Sequence, residues 1–362
     1  MFRNEILVHK RASSKSLQRL HVSVLSMDRW SGIMKVSLNP YSRARYQIAA
    51  SLRLSSSGSL AVPSQNAILF SGDRVQGTGN PVIEKLSNLQ TIAETLVSKL
   101  GDCTNAWVIE ASTFRGPFAV YKDFVPSVDR LGEPQSYDAT GFPASKSVVL
   151  LLSICLKEVK ILISEKLGKP YQDGVCAPCL HQPRIILLGF SKGGMVLNQL
   201  MTEIAFLDLN STKSLEVNET HDTGDLVQIE NQIIPSLNNL LLDSIAEIHF
   251  VDAGLNCAGA YLTDPDVIQR ISKRLLHRAQ SLKFVLHGTP RQWCDRMRVW
   301  IREEKDTLVQ LLKSEAESGG NLSVSEKLYF ADMTPNLQMH FEIIEILYLK
   351  NAQLDVCKAP DA

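Results

Sequence analysis

Residues 186–201 read ILLGFSKGGMVLNQLM, and the texture of the chain changes at the one serine they contain. Ile185 to Leu188 are consecutive strand formers with no polar interruption. After Ser191 come Lys192, two glycines, and then Met195, Leu197, Leu200 and Met201 at helical spacing. A strand that turns sharply into a helix through Gly189-x-Ser191-x-Gly193 has the form of a nucleophile elbow. The bend lifts the serine hydroxyl above the sheet edge, and glycines two before and two after let the turn pack closely. Lys192 then stands at the start of the helix, where backbone N–H groups point outward toward developing negative charge. The alternatives are a phosphate-binding turn and a turn without chemistry. The first lacks the G-x-x-x-x-G-K-[ST] spacing.

Working outward, the apolar runs alternate with helical patterns. Gly32–Leu38 and Tyr46–Leu54 read as an antiparallel strand pair separated by Asn39-Pro40. Asn66–Phe70, Ala106–Ile109, Arg184–Leu188, Ile248–Val251, Phe284–Leu286 and Leu328–Phe330 read as short buried strands. Val82–Leu100, Ser145–Leu167, Gly193–Phe206, Ile233–Ile245, Pro265–Ala279 and Trp300–Leu312 carry helical periodicity between them. Such alternation predicts right-handed crossovers and a mostly parallel sheet with helices on both faces. The expected architecture is one α/β domain over 27–350, with a loop region at 110–144 and a polar excursion at 208–229. A basic extension, 1–26, precedes it and a flexible tail, 351–362, follows.

Composition narrows the function. Lysine plus arginine and aspartate plus glutamate number 38 each, so no global field favours nucleic acid. A hydrophobic share of 44% supplies a core, while no apolar run approaches the ~20 residues that span a bilayer. Seven scattered cysteines do not form a disulfide framework. Cys176, Cys179 and His181 cluster locally without the fourth ligand a structural zinc site needs, so no metal and no cofactor is expected. The extension carries Arg3, Lys10, Arg11, Lys15 and Arg19 against Glu5, with serines and a Leu17, Leu20, Val24 face, as in organelle transit segments. Met27 is an alternative start.

A serine becomes a nucleophile only when a base takes its proton. In hydrolases of this architecture the acid and then the histidine follow the serine in the chain. His287 and His340 both follow strands, and His340 lies past the last of them, so it is the expected base; His287 is an alternate. For the acid, Asp252 closes the strand Ile248–Val251 at the edge where ligands meet parallel sheets, and is preferred to Asp295 and Asp332. Oxyanion donors are expected from Lys192 and from Ser71 or Gly72 after Phe70. Asp73 beside them is an awkward anion unless Arg74 or Lys192 neutralises it. Phe114, Phe118, Tyr121 and Phe124 read either as plain packing or as an apolar lid over the site.

Phe70-Ser-Gly-Asp-Arg-Val-Gln76, the Gly189–Gln199 block, Phe250-Val-Asp-Ala-Gly254, His287-Gly-Thr-Pro290, Asp295-Arg-Met-Arg-Val-Trp300 and His340-Phe341 together resemble a eukaryotic α/β-hydrolase-like family. Its animal member is the mitochondrial protein encoded by chromosome 2 open reading frame 69. The start Met27-Asp-Arg-Trp-Ser-Gly-Ile resembles plant-type members. The resemblance implies an α/β-hydrolase-like fold and, as for the animal members, mitochondria and a link to energy metabolism; cytoplasm and plastid are the alternative locations. It also implies Ser191, Asp252 and His340 as a triad, with Asp295 and His287 as alternates. The Gly-Asp motif departs from ordinary esterases and speaks against simple ester hydrolysis. Two classes of function are therefore expected. One is a serine hydrolase acting on a small-molecule or lipid acyl substrate; the other is a hydrolase-like scaffold that binds without catalysis.

Overall fold

The computed structural model describes residues 28–75, 77–168, 170–171, 182–208 and 229–349. The basic extension, the Cys176–Cys179–His181 cluster and nearly all of the 208–229 excursion lie outside the described residues. Strands β1 (Arg29–Val36) and β2 (Tyr46–Arg53) pair antiparallel, with Ile33 opposite Ala49. β3 (Gln65–Phe70) leads into helices α1 (Pro81–Leu86) and α2 (Leu89–Leu100). The periodicity of 82–100 predicts a single helix, but Asn88 divides it. Its side-chain oxygen accepts from the N–H groups of Gln90 and Thr91 and starts a new helix there.

β4 (Thr104–Ile109) is followed by a hairpin, β5 (Thr113–Arg115) with β6 (Phe118–Val120), then α3 (Pro143–Leu167). β7 (Arg184–Phe190) enters the Ser191–Gly193 turn and α4 (Gly194–Phe206). The helix expected over 233–245 is shorter and split: α5 is Ile229–Ile233 and α6 is Asn238–Asp243, with Pro235 between them, and Ile245 already begins a strand. That strand is β8 (Ile245–Val251), followed by α7 (Pro265–Arg278), β9 (Leu282–Gly288), α8 (Pro290–Trp293) and α9 (Val299–Glu317). The last strand, β10, is Leu322–Leu328 rather than 328–330. It is an edge strand with mostly exposed side chains, so no apolar run marked it. α10 (Leu337–Ile346) closes the described chain.

The main sheet runs β1-β2-β4-β3-β7-β8-β9-β10. β2 is antiparallel to both neighbours and every other adjacent pair is parallel. This is an α/β-hydrolase-like sheet with its antiparallel N-terminal pair. Parallel strands covered on both faces are buried along their whole length, as β3 and β4 are. Alternate residues feed two cores: Ile68, Phe70, Ile185 and Leu187 pack with α3, α4, α7 and α9, whereas Ala67, Leu69, Ile186, Leu188 and Phe190 pack with α1, α2 and α10. No helix among the described residues is long and apolar enough to cross a membrane.

Candidate active site

Ser191 leaves β7 with φ of +54°, a left-handed backbone that costs a non-glycine residue about 1–2 kcal/mol. The surrounding glycines explain how the bend is tolerated. A Cβ at Gly193 would sit 2.1 Å from the Phe70 carbonyl oxygen, and one at Gly189 would sit 2.7 Å from Gly194 Cα. Both positions therefore exclude any side chain. Buried polar groups on α4 fix the helix behind the turn. Glu203 accepts from the N–H groups of Ala144 and Ser145 and caps α3; Gln199 donates to the Asp138 carbonyl; Asn198 donates to the carbonyls of Gly259 and Ala260.

Asp252 follows β8, also with positive φ (+45°), and is fully buried. One carboxylate oxygen accepts from the Thr289 N–H (2.7 Å). The other accepts from the Thr289 hydroxyl (2.9 Å) and faces His340 Nδ1 at 2.6 Å. A carboxylate that receives donors on both oxygens is an acceptor for the ring as well. Nδ1 then carries the hydrogen and Nε2 a lone pair. His340, on the first turn of α10, is stacked on Phe190 at 4.7 Å between ring centroids. Ser191 and His340 line one cavity of about 170 Å³. Among the described residues no direct hydrogen bond joins them, a common condition in unliganded sites.

Gly72 lies against the serine: a Cβ there would be 2.5 Å from Ser191 Cβ and 3.0 Å from its Oγ. Ser71 is ruled out as an oxyanion donor, because its N–H is held by the Ile109 carbonyl at 2.9 Å. Lys192 opens the helical turn, where its N–H has no intrahelical carbonyl to reach. Its side chain is almost wholly buried and answers the question raised by Asp73. Nζ donates to the Leu131 carbonyl (2.7 Å) and to Glu133 (3.1 Å) and lies 4.0 Å from Asp73. Arg74 instead pairs with Glu110. Burial raises the Asp73 carboxyl above its ordinary range, opposed by the Ala119 N–H and by Lys192.

The alternates fall elsewhere. Asp295 accepts from the Met297 N–H and pairs with Arg298 at 2.9 Å, bonding no histidine. His287 is buried in a separate chain: its Nδ1 meets the Tyr329 hydroxyl (2.9 Å) and its Nε2 meets His249 Nδ1 (3.0 Å), while His249 Nε2 meets Glu247 (3.1 Å). Burial lowers the pKa of both rings. Of the two readings of the loop aromatics, packing holds for most of them. Tyr121 and Phe124 are core residues packed edge-on against Phe70, Phe114 lies under Arg74, and only Phe118 reaches the cavity.

Glu133, Thr289, Phe190, Arg291 and Arg298 line or brace the site without having been singled out by sequence. Thr289 and Arg298 fall within the His287–Pro290 and Asp295–Trp300 motifs, where His287 and Asp295 are the more conspicuous residues; Arg291 lies between the motifs, and Glu133, between Gly132 and Pro134, carries no sequence signal.

Residues 155–316 match the C2orf69 family model. The mitochondrial protein C2orf69 homolog of Mus musculus is 26% identical over 161 residues, 44% of this chain and 34% of that protein. The Danio rerio homolog is 24% identical over 260 residues, 71% of this chain and 64% of that protein. The chain thus spans about a third of the mouse relative in that match. Among solved structures, an S-formylglutathione hydrolase from Agrobacterium tumefaciens is similar at 11% identity and a TM-score of 0.39, covering 90% of this chain and 96% of its own. A feruloyl esterase module from Clostridium thermocellum is similar at 11% and 0.38, covering 95% and 94%. At this distance the likeness concerns the fold alone.

Proposed function

We propose that this chain is a serine hydrolase acting on an acyl ester or thioester, with Ser191 as nucleophile, His340 as general base and Asp252 as the acid that orients it. The observation that carries this reading is the buried Asp252–His340 pair at 2.6 Å, opening onto the same cavity as a serine on a strained elbow. His340 Nε2 takes the Ser191 proton as Oγ attacks the acyl carbonyl. The imidazolium is stabilised by Asp252 and returns the proton to the leaving group. Backbone N–H groups of Lys192 and Gly72 face the oxyanion, and water then releases the acyl group by the same path. A second cavity of about 110 Å³, lined on its apolar side by Leu86, Leu89, Ile92, Phe190 and Phe341, adjoins Gly72 and suits a short acyl chain. The similarity to mitochondrial proteins of mouse and zebrafish supports a mitochondrial location.

A hydrolase-like binding scaffold is the second reading. It is favoured by the two carboxylates, Asp73 and Glu133, that share the cavity with Ser191. Reaction of the purified full chain with a fluorophosphonate separates the two. The hydrolase reading expects labelling that vanishes in Ser191→Ala and falls in His340→Ala. A folded wild-type protein that does not label sinks it and leaves the scaffold.

A further inference from the structure

We infer that the cavity beside Ser191 binds an oxyanion, a phosphate or carboxylate carried by the substrate, on Arg291 and Arg298. This rests on the hydrolase reading only in so far as the ligand is that enzyme's substrate; the anion site itself stands on separate observations.

The charges around the cavity divide into two groups. On one side Lys192 is committed to Glu133 at 3.1 Å and to Asp73 at 4.0 Å. On the other, two guanidiniums share one carboxylate that does not line the cavity. Arg298 Nε bonds Asp295 at 2.9 Å, and Arg291 approaches the same oxygen only to 4.0 Å, beyond hydrogen-bond reach. Each guanidinium has five N–H donors in a planar fork. Both arginines line the cavity, and Asp295 is the one protein acceptor beside either guanidinium among the described residues.

Gln292 supplies an independent observation. Gln292 is 5% exposed, lines the same cavity and packs against the backbone of Gly254, and its Oε1 has no hydrogen-bond partner. Buried amides are ordinarily satisfied; the orphan Oε1 is an acceptor, so it calls for a donor from the ligand, such as a hydroxyl carried beside the anionic group. Two under-used guanidiniums therefore line the cavity that also holds the candidate nucleophile and base, with an unsatisfied amide acceptor beside them. Planar bidentate recognition of phosphate or carboxylate is the chemistry that arginine serves best. Arg291, with 38% of its side chain exposed, is open to an arriving ligand.

Isothermal titration of the full chain with inorganic phosphate and, separately, with succinate tests this. Saturable binding of at least one is expected, retained in Ser191→Ala, weakened by higher salt, and weakened roughly tenfold or more in Arg291→Gln, as for loss of a charge-assisted hydrogen bond. Arg298→Gln is expected to act in the same direction. Arg291→Gln is the decisive variant because it leaves the Asp295–Arg298 pair intact, and its thermal unfolding is followed in parallel. Phosphate alone binding assigns a phosphoryl group to the substrate, and succinate alone assigns a carboxylate. Absence of saturable binding to either, or equal affinity in Arg291→Gln, overturns the inference. Anion binding by a protein that no fluorophosphonate labels removes the hydrolase reading and keeps the anion site; labelling without anion binding does the reverse.

Discussion

Gly72→Ala puts a methyl group where the loop after β3 meets the elbow. The new Cβ would lie 2.5 Å from Ser191 Cβ, 3.0 Å from Ser191 Oγ and 3.1 Å from the Phe190 carbonyl oxygen. Ordinary contact begins near 3.4 Å, so the loop and the serine must separate by 3.4 − 2.5, about 0.9 Å. Neither partner is the free end of a long side chain: one is the β-carbon of a residue fixed at positive φ, the other is backbone. Overpacking of this kind costs about 1–3 kcal/mol. A displacement of about 1 Å between a nucleophile and its oxyanion donor costs on the order of a hundredfold in rate. The expected result is a folded protein with a modestly lowered urea midpoint and a fluorophosphonate labelling rate down roughly a hundredfold. The double variant makes the cause specific. In a Ser191→Gly background the β-carbon that clashes is gone, so the stability cost of Gly72→Ala should shrink by more than half. An unchanged labelling rate in Gly72→Ala, or an undiminished stability cost in the Ser191→Gly background, refutes the close approach of these two segments.

Asp252→Asn keeps one carbonyl for the Thr289 N–H but turns an NH₂ group toward His340, favouring the tautomer that carries hydrogen on Nε2. Labelling should fall by about four orders of magnitude with the fold retained, and a wild-type rate would remove Asp252 from its role. Lys192→Met strands Glu133 without its buried cation and should cost about 3–5 kcal/mol in urea unfolding, much of it recovered by adding Glu133→Gln. Failure of that recovery would mean that the lysine acts through packing alone. The Glu247–His249–His287 chain makes stability depend on pH. Burial depresses both imidazole pKa values, so below about pH 6.5 the unfolded chain takes up protons that the folded one refuses, and stability declines as the pH falls. Burial alone would raise Glu247, but hydrogen bonds from His249 and Lys283 bring it to about 2, which adds a second loss between about pH 4.3 and that value. Unfolding midpoints across this range should show both declines, and His249→Gln with His287→Gln should abolish the upper one.

Much of this was legible in the chain because it is local. The β7–turn–α4 unit, its flanking glycines and the antiparallel β1–β2 pair each follow from a few adjacent residues whose periodicity and steric freedom admit one conformation. Asp252 and His340 could be nominated by their places after strands, since parallel crossovers deliver strand ends to one edge. The helix break at Asn88 was also local but was hidden by an apolar period that continued through it. β10 is not visible in the hydrophobic pattern because an exposed edge strand needs no apolar side chains.

What sequence left open were contacts between segments far apart in the chain. Whether Lys192 answers Asp73 depended on Glu133 arriving from a loop some sixty residues earlier. Whether His287 or His340 meets an acid depended on which face of the sheet each ring takes. Tyr121 and Phe124, which the sequence left open between lid and packing, are core because Phe70 and Tyr46 offer them apolar partners. The sequence by itself determined an α/β-hydrolase-like sheet with a serine on a tight elbow, since backbone sterics and side-chain period act over neighbouring residues. Only the tertiary structure decided which acid, base and cation surround that serine. Burial and pairing energies between distant charges do not exist until the chain has closed on itself.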